Sequence, residues 1–391
     1  MTPGARIQAA IEILDTVIAS ARDNGPPADA IVRQYFRERR YAGSKDRRAV
    51  REHVFAAIRH CGEMPATGRS AMLGLAKDDA QLAALFDGQG HAPAPIEAGE
   101  ARCQGRLLPA WLEPALHPLV ASDEWPALLA RAPLDLRVNV ARMTRDAVLQ
   151  SFPDGEPTAL APYGIRLDTD TRVDQHPAYR NGLVEVQDEA SQLVAHVCDP
   201  RDDQLLVDLC AGAGGKALAL AALAPDSRIL AADISRARLA QLPPRAERAG
   251  ASNIDMRLLD TPREAEMLAD LDGQADVVLI DAPCSGSGTW RRNPEGRWRL
   301  TPERLDRLVE TQSRLIDLAL PLVKPGGKLV YAVCSLFSVE GEAQVAAAAS
   351  RHSGLSWQDS FDFGRKAGAG RLFTPAHDGT DGFFIATGLK S

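Results

Sequence analysis

Ile7, Ala10, Ile11, Leu14, Val17 and Ile18 recur at three- and four-residue spacings, which places them on one face of an amphipathic helix. Val50, Val54, Phe55 and Ile58 repeat the pattern, so the chain opens with a helical region. Between 88 and 105 glycine, proline and alanine crowd together, and Pro93 and Pro95 forbid regular helix; the stretch reads as a linker. A short helical piece is expected over 111–120.

At 134–140 the period changes. Leu134, Leu136, Val138 and Val140 alternate with Asp135, Arg137 and Asn139 as in a strand, and 144–152 returns to helix, so a small α/β module is expected. Farther on, short apolar runs at 205–209, 229–232, 254–259, 276–280, 328–333 and 383–387 alternate with helical stretches. That rhythm predicts βαβ units in a parallel, doubly wound sheet. Thr301 can cap the helix after 301, Pro302 suits its first turn, and Leu305, Leu308, Val309, Leu315 and Ile316 form its buried stripe.

The 391 residues exceed what one core organises, so two or three domains are expected. A hydrophobic share of 45% with 25% charged residues excludes fibrous and disordered classes. Glu12 and Asp15 interrupt any signal-peptide core and no apolar run reaches spanning length, which predicts a cytoplasmic protein without membrane contact. Six cysteines without a CxxC pair predict free thiols and no metal site.

A net charge of −7 means that affinity for phosphates must come from local clusters. Arg33, Arg37, Arg39, Arg40, Lys45, Arg47, Arg48 and Arg51 stand against only Glu38 and Asp46. A second cluster, Arg291, Arg292, Arg297 and Arg299, surrounds Trp290 and Trp298, which are either stacking planes for unpaired bases or ordinary core residues.

Asp208-Leu209-Cys210-Ala211-Gly212-Ala213-Gly214-Gly215-Lys216-Ala217 follows a predicted strand and opens a helix, the position of a ligand crevice in an α/β sheet. Residues 212–217 also satisfy G-x-G-x-x-A, so a dinucleotide site is an open alternative. Asp233, at the next strand end, can accept ribose hydroxyls in either case, and Asp260 follows one strand later.

Two strands then end in cysteines, in Asp281-Ala282-Pro283-Cys284-Ser285-Gly286-Ser287-Gly288-Thr289 and in Val330-Tyr331-Ala332-Val333-Cys334-Ser335. Parallel topology brings both thiols to the edge that carries the glycine loop. Carbon 5 of cytosine is a poor nucleophile. A thiolate adding to carbon 6 activates it toward a sulfonium methyl, after which another group must help the carbon 5 proton to leave.

These motifs, with Arg245, Arg248-Ala249-Gly250, Asn253-Ile254 and Gly379-Thr380-Asp381-Gly382-Phe383-Phe384, resemble in order and spacing the RsmB/Nop/Sun family of RNA cytosine-5 methyltransferases. The resemblance implies a Rossmann-like doubly wound methyltransferase domain over 184–391, a small α/β RNA-binding module over 122–183 and an all-α RNA-binding domain over 1–121. It implies S-adenosyl-L-methionine as cofactor, with ribosomal RNA as substrate, transfer RNA as the alternative, and a monomer.

The resemblance also assigns roles. Cys334 attacks carbon 6, Cys284 assists product release, Asp281 holds the base and Lys216 lies between cofactor and base. The Pro-Cys of DNA cytosine-5 methylases leaves Cys284 open as the nucleophile instead. Asp208, Cys210, Ala211, Gly212, Ala213, Gly214, Gly215, Lys216, Asp233, Arg238, Asp260 and Asp281 line the cofactor pocket, with Ala217 where the family usually has threonine. The first helices resemble an antitermination-factor-like RNA-binding bundle whose basic part is 35–51. Arg137-Val138-Asn139 resembles the small subdomain, and Gln187 and Ser191 are expected at the cofactor edge.

Overall fold

Thr2 Oγ1 accepts the Ala5 N–H and Pro3 occupies the first turn, which starts helix α1 (Pro3–Arg22) as an N-cap rule would have it. The computed structural model describes every residue except Asn24 and Asp170. These fall into two units, one of Met1–Leu116, Ala121–Ala130 and Thr289–Pro302, the other of His117–Val120, Arg131–Gly288 and Glu303–Ser391.

In the first unit α1 packs with α2 (Ala28–Glu38), α3 (Ser44–His60) and α4 (Gly68–Ala76). Its core includes Ile7, Leu14, Val17, Val50, Val54, Ile58 and Leu73, the apolar stripes read from the sequence. A Cβ at Gly68 would stand 2.2 Å from the Ile11 carbonyl, so glycine lets α4 lie directly on α1. The helix expected over 111–120 shrinks to the 3₁₀ turn Ala110–Ala115, because Pro114 and Pro118 interrupt the chain.

Residues 289–302 correct the reading of the second basic cluster. Arg297 is fully buried and donates to the carbonyls of Ile58 at 2.7 Å and Cys61 at 2.9 Å, at the end of α3. Trp298 Nε1 also reaches Cys61 O, at 2.9 Å, and Arg299 donates to Gly25 O at 2.8 Å beyond α1. Arg297 thereby satisfies carbonyls in the last turn of α3, where a cation is also favoured. Trp290 and Trp298 are 1% and 6% exposed, so they are core residues and not stacking planes. The expectation of six free thiols is also corrected. Cys61 and Cys103 form a disulfide, brought together as Cys61 pairs with Gly105 and the Cys103 N–H reaches Ser70 O. Cys198, Cys210, Cys284 and Cys334 are free.

The second unit holds two sheets. Strands β1 (Leu134–Val138), β2 (Glu156–Pro157), β3 (Gly164–Leu167) and β4 (Val184–Val186) form an antiparallel sheet in the order β2-β3-β1-β4. Leu136, Val138, Phe152, Ile165 and Val184 make its core. The larger sheet contains β5 (Leu205–Asp208), β6 (Arg228–Asp233), β7 (Ile254–Leu258), β8 (Ala275–Asp281), β9 (Val323–Val333), β10 (Leu355–Gln358), β11 (Arg365–Ala367), β12 (Gly370–Phe373) and β13 (Phe383–Lys390).

Its order is β11-β12-β13-β9-β8-β5-β6-β7, with β10 also on β13. Strands β5 to β9 pair in parallel, as the alternation of apolar runs predicts. The last strand differs, since β13 runs antiparallel to β9 and to β12. No crossover helix is needed for such neighbours. The sheets are tied together: Asn139 Nδ2 donates to Ala249 O at 2.9 Å, and Glu185 accepts from Arg245 at 2.9 Å and from Arg248. Among the described residues no helix is long and apolar enough to cross a membrane.

Candidate active site

Strand β5 is the switch point of the large sheet, because β6 and β7 extend to one side of it and β8 and β9 to the other. Loops at the carboxyl ends of strands open a crevice there. Asp208 ends β5, and the following turn needs φ values of +58° at Gly212 and +83° at Gly214 that only glycine adopts freely. Gly214 precedes the helix Gly215–Leu223.

Asp233, at the end of β6, accepts the Gly212 N–H and the Ser235 N–H, each at 2.7 Å, and so fixes the turn. Arg238 covers it, since a Cβ at Gly212 would stand 2.3 Å from its guanidinium. Backbone carbonyls of the same loop are held from the smaller sheet and its flank. Ala213 O accepts from Arg245 at 2.6 Å, and Gly215 O accepts from Arg137 at 2.7 Å. Asp260 stands exposed beyond β7, with Ala211 and Cys210 inside the turn.

Lys216 lies in the first turn of the helix and is 9% exposed, which directs its ammonium inward. Its Nζ donates to Asp281 Oδ2 at 2.6 Å and to Ser191 Oγ at 3.0 Å. Gln187 donates to Ser191 at 3.2 Å and accepts from Arg137 at 2.8 Å, so the two residues join Lys216 and the Arg137 that holds Gly215 O. In the parallel register of β8 and β9, Asp281 lies opposite Ala332. The two chains continue side by side, and Cys284 Sγ and Cys334 Sγ end 3.3 Å apart.

A family model described as 16S rRNA methyltransferase RsmB/F matches residues 195–389. The ribosomal RNA small subunit methyltransferase B of Yersinia enterocolitica is 32% identical over 292 residues, covering 73% of this chain and 66% of that protein. Its counterpart in Enterobacter sp. strain 638 is also 32% identical over 292 residues, covering 73% of this chain and 67% of the relative. The chain belongs to the RsmB/F methyltransferase family. It thus spans about two thirds of the length of these relatives. The crystal structure of PH0851 has the same fold, with a TM-score of 0.80 at 23% identity over 100% of this chain and 99% of that one.

The electrostatics of this RsmB/F crevice are dominated by carboxylates. Asp208 is fully buried, neither of its oxygens has a side-chain hydrogen-bond partner among the described residues, and its pKa is pushed up to about 7, first by burial and then by Asp281, against the pull of Lys216. Burial and the charges of Asp208, Asp281 and Asp233 push the Cys210 thiol well above its usual range. Burial opposes the Lys216 ammonium, but Asp281, Cys334 and Asp208 outweigh it and keep the lysine above its ordinary pKa. Cys284 is held well above the usual thiol value by its hydrogen bond to Cys334, by desolvation and by the charges of Cys334 and Glu340.

Three features escaped the sequence reading. Glu340 is fully buried and accepts from Ser285 N at 2.8 Å, Ser335 Oγ at 2.5 Å and Gln312 Nε2 at 2.9 Å. Arg137 is buried at the loop, and burial brings its pKa down to about 10. Ile234, next to Asp233, is 61% exposed, an apolar surface at the crevice end of β6. Ile234 had a local signal, as the residue after a strand-end aspartate, and Arg137 was named in its motif but not placed at the loop.

Proposed function

We propose that the chain is an S-adenosylmethionine-dependent RNA methyltransferase that makes 5-methylcytosine in ribosomal RNA, with Cys334 as nucleophile. The observation that carries this is the 3.3 Å separation of two thiols beside the Lys216–Asp281 pair at the switch point. The donor set fits the cofactor. Asp208, Asp233 and Asp281 surround the loop, and the buried carboxylate of Asp208, with no side-chain partner among the described residues, suits a positively charged ligand. The same carboxylates would repel a pyrophosphate, which disfavours the dinucleotide alternative. Cys210, Ala211, Gly212, Ala213, Gly214 and Gly215 would hold the cofactor by backbone approach. Arg238 and Asp260 would flank it, and Ile234 would cover its base.

When bound, the cofactor supplies an electrophilic methyl on a cationic sulfur. Cys334 Sγ, as the thiolate, forms a bond to carbon 6 of cytosine, and the electron pair of the ring double bond passes to carbon 5, which is thereby made nucleophilic toward that methyl group, whose bond to sulfur would break with its electron pair returning to the sulfur. Asp281 holds the base at its ring nitrogen and amino group, while Lys216 holds Asp281. Once Cys334 is bonded to carbon it no longer shares a proton with Cys284, and the Cys284 thiol can release its own proton to solvent. It then accepts the carbon 5 proton, the ring double bond re-forms and Cys334 leaves with the electron pair of the carbon–sulfur bond. The cytosine must be unpaired or flipped out to meet these groups.

The helical unit and the smaller sheet deliver RNA in this reading, and the protein works in the cytoplasm as a monomer. Parallel incubations of purified ribosomal RNA and of transfer RNA with methyl-labelled S-adenosylmethionine, followed by nucleoside analysis, should yield labelled 5-methylcytidine in the ribosomal RNA. Label confined to transfer RNA would reject the ribosomal substrate, and label on another nucleoside would reject the chemistry.

A further inference from the structure

We propose that Glu340 is a positioning residue for the cysteine pair, holding Cys284 and Cys334 at the distance at which one thiol shares its proton with the other. The inference rests on the two-cysteine reaction above. Ser285 follows Cys284 in the chain and Ser335 follows Cys334, and the Glu340 carboxylate accepts from both: from Ser285 N at 2.8 Å, from Ser285 Oγ, and from Ser335 Oγ at 2.5 Å. Gln312 Nε2 donates to it at 2.9 Å and also to the carbonyl of Pro283, on the other side of Cys284, at 3.0 Å. Ser287 Oγ closes the network, meeting Ser335 Oγ at 3.0 Å and accepting the Leu336 N–H at 2.8 Å.

Glu340 is itself anchored, because Tyr331 on β9 donates to its carbonyl at 2.7 Å. Packing alone does not call for a fully buried carboxylate, which is costly unless donors converge on it. Here the donors come from the neighbours of both thiols, so the carboxylate fixes two loops against each other. Its negative charge also helps to keep the proton on Cys284.

Two variants separate the parts of this role. Glu340→Ala removes both the tie and the charge, whereas Glu340→Gln keeps the shape and can still bridge if the serine hydroxyls turn round. The rates at which iodoacetamide alkylates Cys284 and Cys334 should be measured by peptide mass spectrometry across pH, on the full chain without RNA or cofactor. In the parent protein Cys334 should react faster. In Glu340→Ala the preference should fall about tenfold, the equivalent of one pKa unit. Turnover should fall about a hundredfold, as a displacement near 1 Å predicts, with the KM for RNA unchanged. Glu340→Gln should regain most of the turnover while the Cys284 alkylation profile moves to lower pH.

An unchanged thiol preference in Glu340→Ala overturns the proposal. So does a loss of melting temperature in Glu340→Ala with a parent-like alkylation profile in Glu340→Gln, since that is a purely structural role. Because alkylation needs no RNA, it judges Glu340 even if the parent enzyme fails to methylate cytosine, an outcome that would reject the reaction instead.

Discussion

Lys216 Nζ lies 2.6 Å from Asp281 Oδ2 and joins the helix of the glycine turn to the strand that leads into Cys284. The ammonium balances Asp281 and also donates to Ser191. Lys216→Met should leave the protein folded and cut turnover about a hundredfold, the usual loss when a preorganised charge is removed from a reacting centre. Steady-state methyl transfer checks this, and unimpaired turnover would contradict it.

Asp208 makes cofactor binding depend on pH. Its folded pKa of about 7 lies above the unfolded value, so the folded state binds more protons in the window from about pH 4 to 7. Stability contributed by this group is present at the acid end and is lost as pH rises through 7. A cationic ligand prefers the ionised form, so affinity for S-adenosylmethionine should rise over that same upper range. Calorimetric titration should show the rise in the parent protein and its absence in Asp208→Asn. A flat parent profile would remove Asp208 from the pocket.

Arg297 should govern the stability of the helical unit. It is buried, its pKa is brought down to about 9 by desolvation, and it serves carbonyls of Ile58, Arg59 and Cys61 at the end of α3. Arg297→Met leaves the carbonyls of Ile58 and Arg59 without this donor, while Trp298 still serves Cys61, and should cost about 3 kcal/mol. Thermal unfolding should show the loss, and an unchanged melting profile would refute this capping role.

Surface charge reversal should have the opposite signature. Arg40, Arg47 and Arg48 are exposed, whereas Arg39 stacks on Tyr35 at 3.7 Å and pairs with Glu12. Glutamate at the three exposed positions should weaken RNA binding and flatten its salt dependence, with cofactor affinity intact. Filter binding at several salt concentrations measures this. RNA affinity equal to the parent's would take the segment out of the interface.

Strands β5, β6, β8 and β9 were legible because interior strands of a parallel sheet are near-continuous apolar runs. Their ends then located Asp208, Asp233, Cys284 and Cys334 by topology alone. Arg297 and Trp298 were not legible, since a basic, aromatic run looks the same whether it faces solvent or fills the ends of helices 236 or more residues away in the chain. The Cys61–Cys103 bond spans 42 residues that include α4, and no periodicity sets one cysteine in register with the other. Glu340 carried no signal in the sequence, because its partners at 285, 312 and 335 converge only in three dimensions. The two-residue strand β2 lacks enough positions for a period to show.

The central claim is that Cys334, not Cys284, attacks the base, and the two alanine variants fail in opposite ways if it holds. Denaturing electrophoresis of each variant incubated with ribosomal RNA, with and without S-adenosylmethionine, measures this directly. Cys284→Ala should accumulate a protein–RNA adduct that requires S-adenosylmethionine, because addition and methyl transfer proceed while release stalls. Cys334→Ala should be inactive and give no adduct. An adduct that persists in Cys334→Ala and is lost in Cys284→Ala would contradict the account.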